Sequence, residues 1–374
     1  MAERAKIFLL IPHLGGGGAE GIIEMLAEHL PAEDSCLHLV LVTRQFAELR
    51  KALPAHLTVH QLPHAKVRYA AVALLRLIWQ ERPRILLSGI HHLNLLLLGL
   101  RPFFPRQTRL LIRQNSSWLL PQHPSRLQRA LYRRLYQRAD AVLCQSAAMA
   151  REMAQRLALP VAHFPVLANP VDIAAIQSAT PATAESDLAA WFNASPRLIA
   201  VGRLSPEKGF DLLLEAFGHV RQQHPRAGLL ILGAGPEESF LRAESERLGL
   251  GASLHFGGYR RPTAAWLQAA TVFVLSSRHD AMPNALLEAA AAGLPIVSTP
   301  ASTGLVPLIA EQPGIWLATE ATVPALTESL CDALRALGPL PERYRHAWIE
   351  AYALAPALAA YQALLEGFAR ERQQ

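Results

Sequence analysis

Lys6-Ile-Phe-Leu-Leu-Ile-Pro12 is an apolar run of the length of one strand buried on both faces, and it is followed by Gly15-Gly-Gly-Gly18. Ile22, Ile23, Leu26, Ala27 and Leu30 then recur at helical spacing. Strand, glycine turn and helix in that order form the opening unit of an α/β fold. Working outward, strands are expected at 37–43, 58–62, 85–88, 109–113 and 141–144, with helical stretches such as 70–80 and 125–138 between them. This alternation predicts a parallel, doubly wound sheet.

The segment 173–196, which contains Thr180-Pro-Ala-Thr-Ala-Glu185, loses the strand rhythm and gains small residues, as a connection between domains does. A second series follows, with strands at 197–201, 228–232, 254–256, 272–275 and 295–298 and helices at 209–224, 237–248, 262–269 and 284–292. A further apolar-faced helix closes the chain at 355–369. At 374 residues the chain exceeds what one core usually supports, so two domains are expected, 1–172 and 197–354, joined by the 173–196 linker. Residues 355–374 are expected to pack back on the first domain.

Composition narrows the class. Hydrophobic residues make up 51% and charged ones 18%, which excludes a largely disordered chain. Cys36, Cys144 and Cys331 lie far apart, with neither CxxC spacing nor the density of a disulfide scaffold, so a reducing cytoplasm is expected. The charged start, Met1 to Lys6, leads directly into a strand and lacks the pattern of a secretory signal. The longest apolar run, 95–100, falls short of the roughly 20 residues that span a bilayer.

Charge is divided unevenly. Residues 1–180 carry 21 Lys+Arg against 11 Asp+Glu, or +10, whereas 181–374 carry 15 against 19, or −4. No acidic residue falls between Glu81 and Asp140, where eleven arginines do. Such a field attracts nucleic acid, anionic lipid headgroups and phosphorylated substrates alike.

Two motifs in the second half carry chemistry. Arg278-His-Asp-Ala-Met-Pro-Asn-Ala-Leu-Leu-Glu288 sets Asp280 in a loop after a strand and Glu288 about one turn into the next helix. Charged acceptors suit sugar and ribose hydroxyls, although on spacing alone the pair reads more readily as a turn Asp and an ordinary helix Glu. Val201-Gly-Arg-Leu-Ser-Pro-Glu-Lys-Gly209 sets Arg203 and Lys208 around a turn at the carboxyl edge of the sheet, where open α/β sheets bind ligands. Two cations there, beside a helix start, suit a diphosphate.

With Gly233-Ala-Gly-Pro236 between them, these motifs resemble, in order and over most of the chain, the signature of the family 4 glycosyltransferases of the GT-B fold. Asn169-Pro-Val-Asp172 and Ala139-Asp-Ala-Val-Leu-Cys-Gln-Ser146 are similar to further family elements. The resemblance implies an α/β GT-B architecture: two Rossmann-like domains, acceptor-binding then nucleotide-sugar-binding, with parallel sheets facing across a cleft. It assigns Arg203 and Lys208 to the leaving diphosphate, Asp280 to the donor sugar and Glu288 to the ribose. Gly16, Gly17, Gly202, Gly233, Gly235, Met282, Pro283 and Asn284 complete the expected donor site. His91, His92, Asn94, Arg113 and Asn115 fall in loops similar to the acceptor side of members acting on lipid-linked N-acetylated sugars. Three departures stand out: Asp280-Ala281 where the family has Glu-Gly, Gln114-Asn115 where members often carry His, and Gly304-Leu-Val-Pro307 where the family ends in Glu.

The function so implied is retaining transfer of a sugar from a UDP-linked donor to a hydroxyl of a glycan or polyprenyl-linked acceptor. Its setting would be cell-surface polysaccharide, lipopolysaccharide or glycoconjugate synthesis. Two cations and the lack of an Asp-x-Asp motif lead to the expectation of no metal, and no cofactor beyond the donor. A cytoplasmic protein is expected, with peripheral contact at the inner face of the membrane through the leucine-rich stretch 95–104 and the arginine-studded helix 125–138, and with no nucleic-acid partner. A sugar-nucleotide epimerase and a catalytically silent nucleotide-binding partner subunit are the competing readings. An NAD-dependent dehydrogenase is disfavoured, since the glycine loop lacks a Gly-x-Gly-x-x-Gly register.

Overall fold

The computed structural model describes residues 5–14, 17–30, 35–44, 53–115, 125–183, 188–337 and 343–370. The chain divides into two units, Met1–Pro170 with Ala355–Gln374, and Val171–Leu354.

Unit 1 follows the predicted alternation: β1 (Ala5–Ile11), α1 (Gly18–His29), β2 (Ser35–Thr43), β3 (Thr58–His64), α2 (Ala71–Glu81), β4 (Ile85–Ser88), α3 (His91–Leu100), β5 (Arg109–Arg113), α4 (Arg126–Tyr136), β6 (Ala141–Leu143) and α5 (Ala147–Leu157). Among the described residues these strands form one parallel sheet in the order β3-β2-β1-β4-β5-β6. Leu9, Leu39, Leu87 and Leu111 are fully buried on one face of it beneath α1. The closing helix of the chain joins the same core through Tyr361 and Leu365.

Unit 2 begins earlier than the sequence rhythm suggests. The segment expected as a connection forms α6 (Ile173–Gln177) and α7 (Ala189–Phe192), and its Ile176, Leu188 and Trp191 are buried in this unit's core. Trp191 is fully buried, with its Nε1 donating to the Leu198 carbonyl at 3.0 Å. There follow β7 (Arg197–Val201), α8 (Phe210–Gln223), β8 (Gly228–Leu232), α9 (Glu238–Arg247), β9 (Leu254–Gly258), α10 (Ala264–Ala269), β10 (Val272–Leu275), α11 (Asn284–Ala291), β11 (Ile296–Ser298), α12 (Val306–Ile309), β12 (Ile315–Leu317), α13 (Val323–Ala336) and α14 (Leu354–Arg370), the last belonging mostly to unit 1. The described strands make a second parallel sheet, β12-β11-β10-β7-β8-β9.

The strand order fixes where ligands can bind. In each sheet the connections reverse direction beside the first strand, between β1 and β4 in unit 1 and between β7 and β10 in unit 2. Loops leaving two neighbouring strands there diverge to opposite faces and open a crevice at their carboxyl ends.

Candidate active site

The unit 2 crevice is built by the loops after β7 and β10, and these carry both sequence motifs. After β7 a short 3-10 turn, Pro206–Lys208, precedes Gly209, whose φ of +61° starts α8. A Cβ on Gly209 would lie 2.2 Å from the Ser276 carbonyl oxygen, so glycine is required for the β7 loop to lie against the end of β10. Ser276 Oγ donates to the Lys208 carbonyl at 2.9 Å, and the Arg278 amide to the Glu207 carbonyl at 2.8 Å. Arg278 adds a two-pronged ion pair with Asp211 of α8. Burial opposes the Asp211 charge, yet the hydrogen bonds and charge of Arg278 outweigh it and hold the carboxyl below its ordinary range.

Across this clamped pair of loops, Lys208 Nζ forms a direct ion pair with Asp280. Both side chains are mostly but not wholly buried, at 22% and 13% exposure, so the pair is reachable from solvent. Arg203 is exposed on the same loop, and among the described residues its guanidinium has no ion-pair partner. Met282 and Pro283 are buried, and Pro283 caps α11 without a side-chain hydrogen bond; the amides of Asn284 and Ala285, in its first turn, lie beyond the reach of the i→i−4 ladder. Glu288, one turn further on, accepts from Thr263 Oγ1 at 2.6 Å. Burial raises its carboxyl above the ordinary glutamate range, and the Thr263 bond and the Arg261 charge offset this only in part.

The glycines divide by physical cause. A Cβ on Gly233, at φ +149°, would lie 1.8 Å from the Gly202 carbonyl oxygen, and one on Gly235 would lie 2.3 Å from that of Leu204. These two glycines let the loop after β8 lie flat on the loop after β7, where Leu204 donates to Ala234 at 3.1 Å and Glu237 to Leu204 at 3.0 Å. Gly202 itself leaves ordinary contact room, 3.4 Å to Phe210. In unit 1, Gly17 has φ −74° and an added Cβ would meet nothing nearer than Glu20 Oε2 at 3.8 Å, so the glycine loop stands open there. Gly16 lies outside the described residues.

The five residues expected on the acceptor side separate into two groups. His91 and His92 open α3 at the unit 1 crevice and reach the surface. Partial desolvation, then the adjoining His92, holds His91 below the ordinary histidine range; His92 is lowered by desolvation and by His13, against an opposing pull from Glu20. The other three are scaffold. Asn94 is fully buried and donates to the Arg113 carbonyl at 3.0 Å. Arg113 is 1% exposed: its Nε donates to Tyr361 Oη at 3.2 Å, and its terminal nitrogens to Asn115 and Asn169. Asn115 in turn donates to the Gly89 carbonyl and accepts from Gln145 Nε2 at 3.2 Å. Arg113, Asn94 and Asn115, expected on the acceptor side, thus spend most of their polar groups on neighbouring chain, while Asn94 Oδ1 is buried with no partner among the described residues.

Leu97 and Leu98 are fully buried on α3 and Phe104 nearly so, leaving Phe103 as the exposed apolar residue of the run. Among the described residues no helix is long and apolar enough to cross a membrane, and no group of three or more His, Cys, Asp or Glu side chains could hold a metal ion. Sequence reasoning missed Thr263 and the Asp211–Arg278 clamp. Arg278 sits inside the quoted motif, but nothing in the linear pattern marks Asp211, 67 residues away, as its partner.

Comparison with known proteins gives two family models in tandem: one described as Glycosyltransferase Family 4 over residues 16–175, and one as Glycosyl transferases group 1 over 195–336. A lipopolysaccharide core biosynthesis glycosyltransferase of Rhizobium meliloti is 36% identical over 105 residues, 28% of this chain and 30% of that protein. A Vi polysaccharide biosynthesis protein of Salmonella typhi is 26% identical over 263 residues, 65% of this chain and 40% of its own. The chain thus spans less than half the length of the curated relatives it matches. The crystal structure of Anabaena HepE in complex with UDP-glucose superposes with a TM-score of 0.77 at 18% identity, covering 97% of this chain and 99% of that one.

Proposed function

The chain belongs to the family 4 glycosyltransferases of the GT-B fold, and from that premise we propose that it moves a sugar from a nucleotide diphosphate donor, UDP-linked, to a hydroxyl of a glycan or lipid-linked acceptor in cell-surface polysaccharide synthesis, with retention at the anomeric carbon. The observation that carries the reading is the Lys208–Asp280 pair at the β7–β10 crevice, with the exposed Arg203 on the same loop.

Lys208 and Arg203 take the diphosphate. Asp280 accepts from a hydroxyl of the donor sugar while it holds the Lys208 ammonium in place, and Glu288 accepts from the ribose. The acceptor oxygen bonds to the anomeric carbon as the bond from that carbon to phosphate oxygen breaks, on the same face. The acceptor proton passes to the departing phosphate. The protein supplies position and fixed positive charge where negative charge grows, which is where such groups lower a barrier most. Two side-chain cations suffice for that role, so turnover is expected to survive chelation of divalent metals. His91, His92 and the open Gly17 turn form the acceptor edge of unit 1.

The test is a thermal-shift screen of UDP, GDP and dTDP with their sugars, followed by product analysis with and without acceptor. A ligand at 100 times its dissociation constant stabilises by about 2.7 kcal/mol, so the matching nucleotide separates clearly. Conversion of the donor to its epimer without acceptor would replace transfer by epimerisation. Nucleotide binding with neither hydrolysis nor transfer would leave a silent binding subunit.

A further inference from the structure

Thr263 ends the loop after β9 and opens α10, whose Ala264, Trp266 and Leu267 are buried in the same core as Leu286 and Leu287 of α11. The loop is pinned on both sides of its turn: Arg260 Nε donates to the Gly257 carbonyl at 2.9 Å, and the Arg260 guanidinium lies 5.5 Å from the centre of the Trp266 ring. The Thr263 carbonyl accepts from the Trp266 and Leu267 amides, both at 3.0 Å, and so begins the helix. Backbone and apolar packing thus hold this segment without help from the Thr263 hydroxyl.

A threonine at a helix start commonly turns its oxygen back to a first-turn amide. Ser146 and Asp172 do so at the starts of α5 and α6, accepting from the Met149 amide at 3.2 Å and the Ala175 amide at 2.9 Å. Thr263 makes no such bond. Its Oγ1 instead donates to Glu288 Oε2 at 2.6 Å, a length typical of a hydroxyl donating to an ionised carboxylate. The second oxygen, Glu288 Oε1, has no partner among the described residues and is not sealed from solvent. Charge near the site is sparse. α6, α10, β10, β11 and the rest of α11 carry no charged side chain, the adjoining 3-10 turn carries Glu350 and Tyr352, and Arg261, exposed on the Thr263 loop, is the cation whose charge reaches Glu288.

We propose that Thr263 is a positioning residue of the donor site: its hydroxyl holds the Glu288 carboxylate charged and in one orientation, with Oε1 left to accept from the nucleotide ribose. Burial opposes the Glu288 charge, and the Thr263 bond is the foremost of the two contacts that offset it, ahead of Arg261. Without the hydroxyl the side chain would be freer to turn and harder to ionise. The inference deepens the donor-site reading above and rests on it for the ribose, though not for the hold on Glu288.

The test is calorimetric titration of UDP across pH with the parent chain, Thr263→Val and Thr263→Ser. Valine keeps the shape and removes the donor, whereas serine keeps the donor. Thr263→Val is expected to bind UDP about tenfold more weakly near neutral pH, and its affinity should rise at higher pH than the parent's, because the carboxyl has lost a bond that favours its charge. Thr263→Ser should restore both. A valine variant with the parent's affinity and profile, or a serine variant as impaired as the valine one, would overturn the proposal. So would weaker binding on an unmoved profile with a lowered melting temperature, the mark of a threonine that only supports the fold. Glu288→Gln separates the two readings. If it weakens UDP binding while Thr263→Val does not, the ribose reading stands and this one falls. If UDP binding ignores Glu288→Gln, while carbon-13 NMR without nucleotide shows the Glu288 carboxyl titrating at higher pH in Thr263→Val, the ribose reading falls and the hold on Glu288 stands.

Discussion

The carboxyl edges of the two sheets carry arginine and lysine to opposite ends. Arg113 leaves β5 at 1% exposure, bonded to Tyr361, Asn115 and Asn169, whereas Arg203 and Lys208 leave β7 at or near the surface, with an acid as the only side-chain partner of Lys208 among the described residues. Both positions follow a parallel strand at the edge where such folds bind ligands. What separates them is the strand: β7 borders the reversal of order in its sheet, while β5 lies one strand beyond it. At the reversal the loops diverge and leave space for a ligand; away from it the chain fills the space itself, with α14 and Asn169.

That contrast can be broken experimentally. The largest effect is expected from Arg113→Ala, which removes a buried donor from Asn115, Asn169 and Tyr361; roughly 4 kcal/mol of stability should go, read by urea unfolding. If the variant unfolds like the parent but loses acceptor affinity, Arg113 is a binding residue after all. Lys208→Ala should do the reverse: turnover about 10²- to 10³-fold lower, equivalent to about 3–4 kcal/mol in the transition state, with the urea midpoint nearly unchanged. A near-normal rate would remove Lys208 from the mechanism.

Glu288 sharpens the comparison through pH. Its raised folded-state pKa means that its contribution to stability is fully present below the ordinary glutamate value and lost as pH rises through the raised one. Nucleotide affinity should run the other way, increasing over the same window as the carboxylate that accepts from ribose becomes charged. Glu288→Gln should flatten both profiles, so calorimetric titration of UDP across pH decides the point; a variant with the parent's slope refutes it. Smallest of all, Gly17→Ala should cost less than about 1 kcal/mol, because its backbone needs no glycine and its Cβ makes only ordinary contact, 3.8 Å to Glu20 Oε2. A large loss of donor or acceptor affinity without loss of stability would show that a ligand approaches that turn closely.

Much of the architecture was legible in the residues. Apolar runs bounded by glycine and proline marked the strands to within a residue or two, because a strand buried on both faces has no polar positions to blur it. The last strand, Ile315–Leu317, escaped notice: it is short and half-buried, and it follows a proline and a glycine that read as a turn. The leucine run of α3 reads ambiguously in sequence, because a helix apolar all round has the same linear pattern whether it enters a core or meets a membrane. Thr263 carries no signal of its own until the fold sets it against Glu288.

The sequence by itself determined the two series of strands and helices, the order of the motifs, and which residue types could meet a diphosphate and a sugar, since these depend on local periodicity and side-chain chemistry. Only the tertiary structure decided which of those residues have a free face. Arg113 meets partners 56 and 248 residues away, and Lys208 meets Asp280 across 72. A cation's role depends on whether the surrounding chain satisfies it, and that is a property of packing rather than of position in the chain.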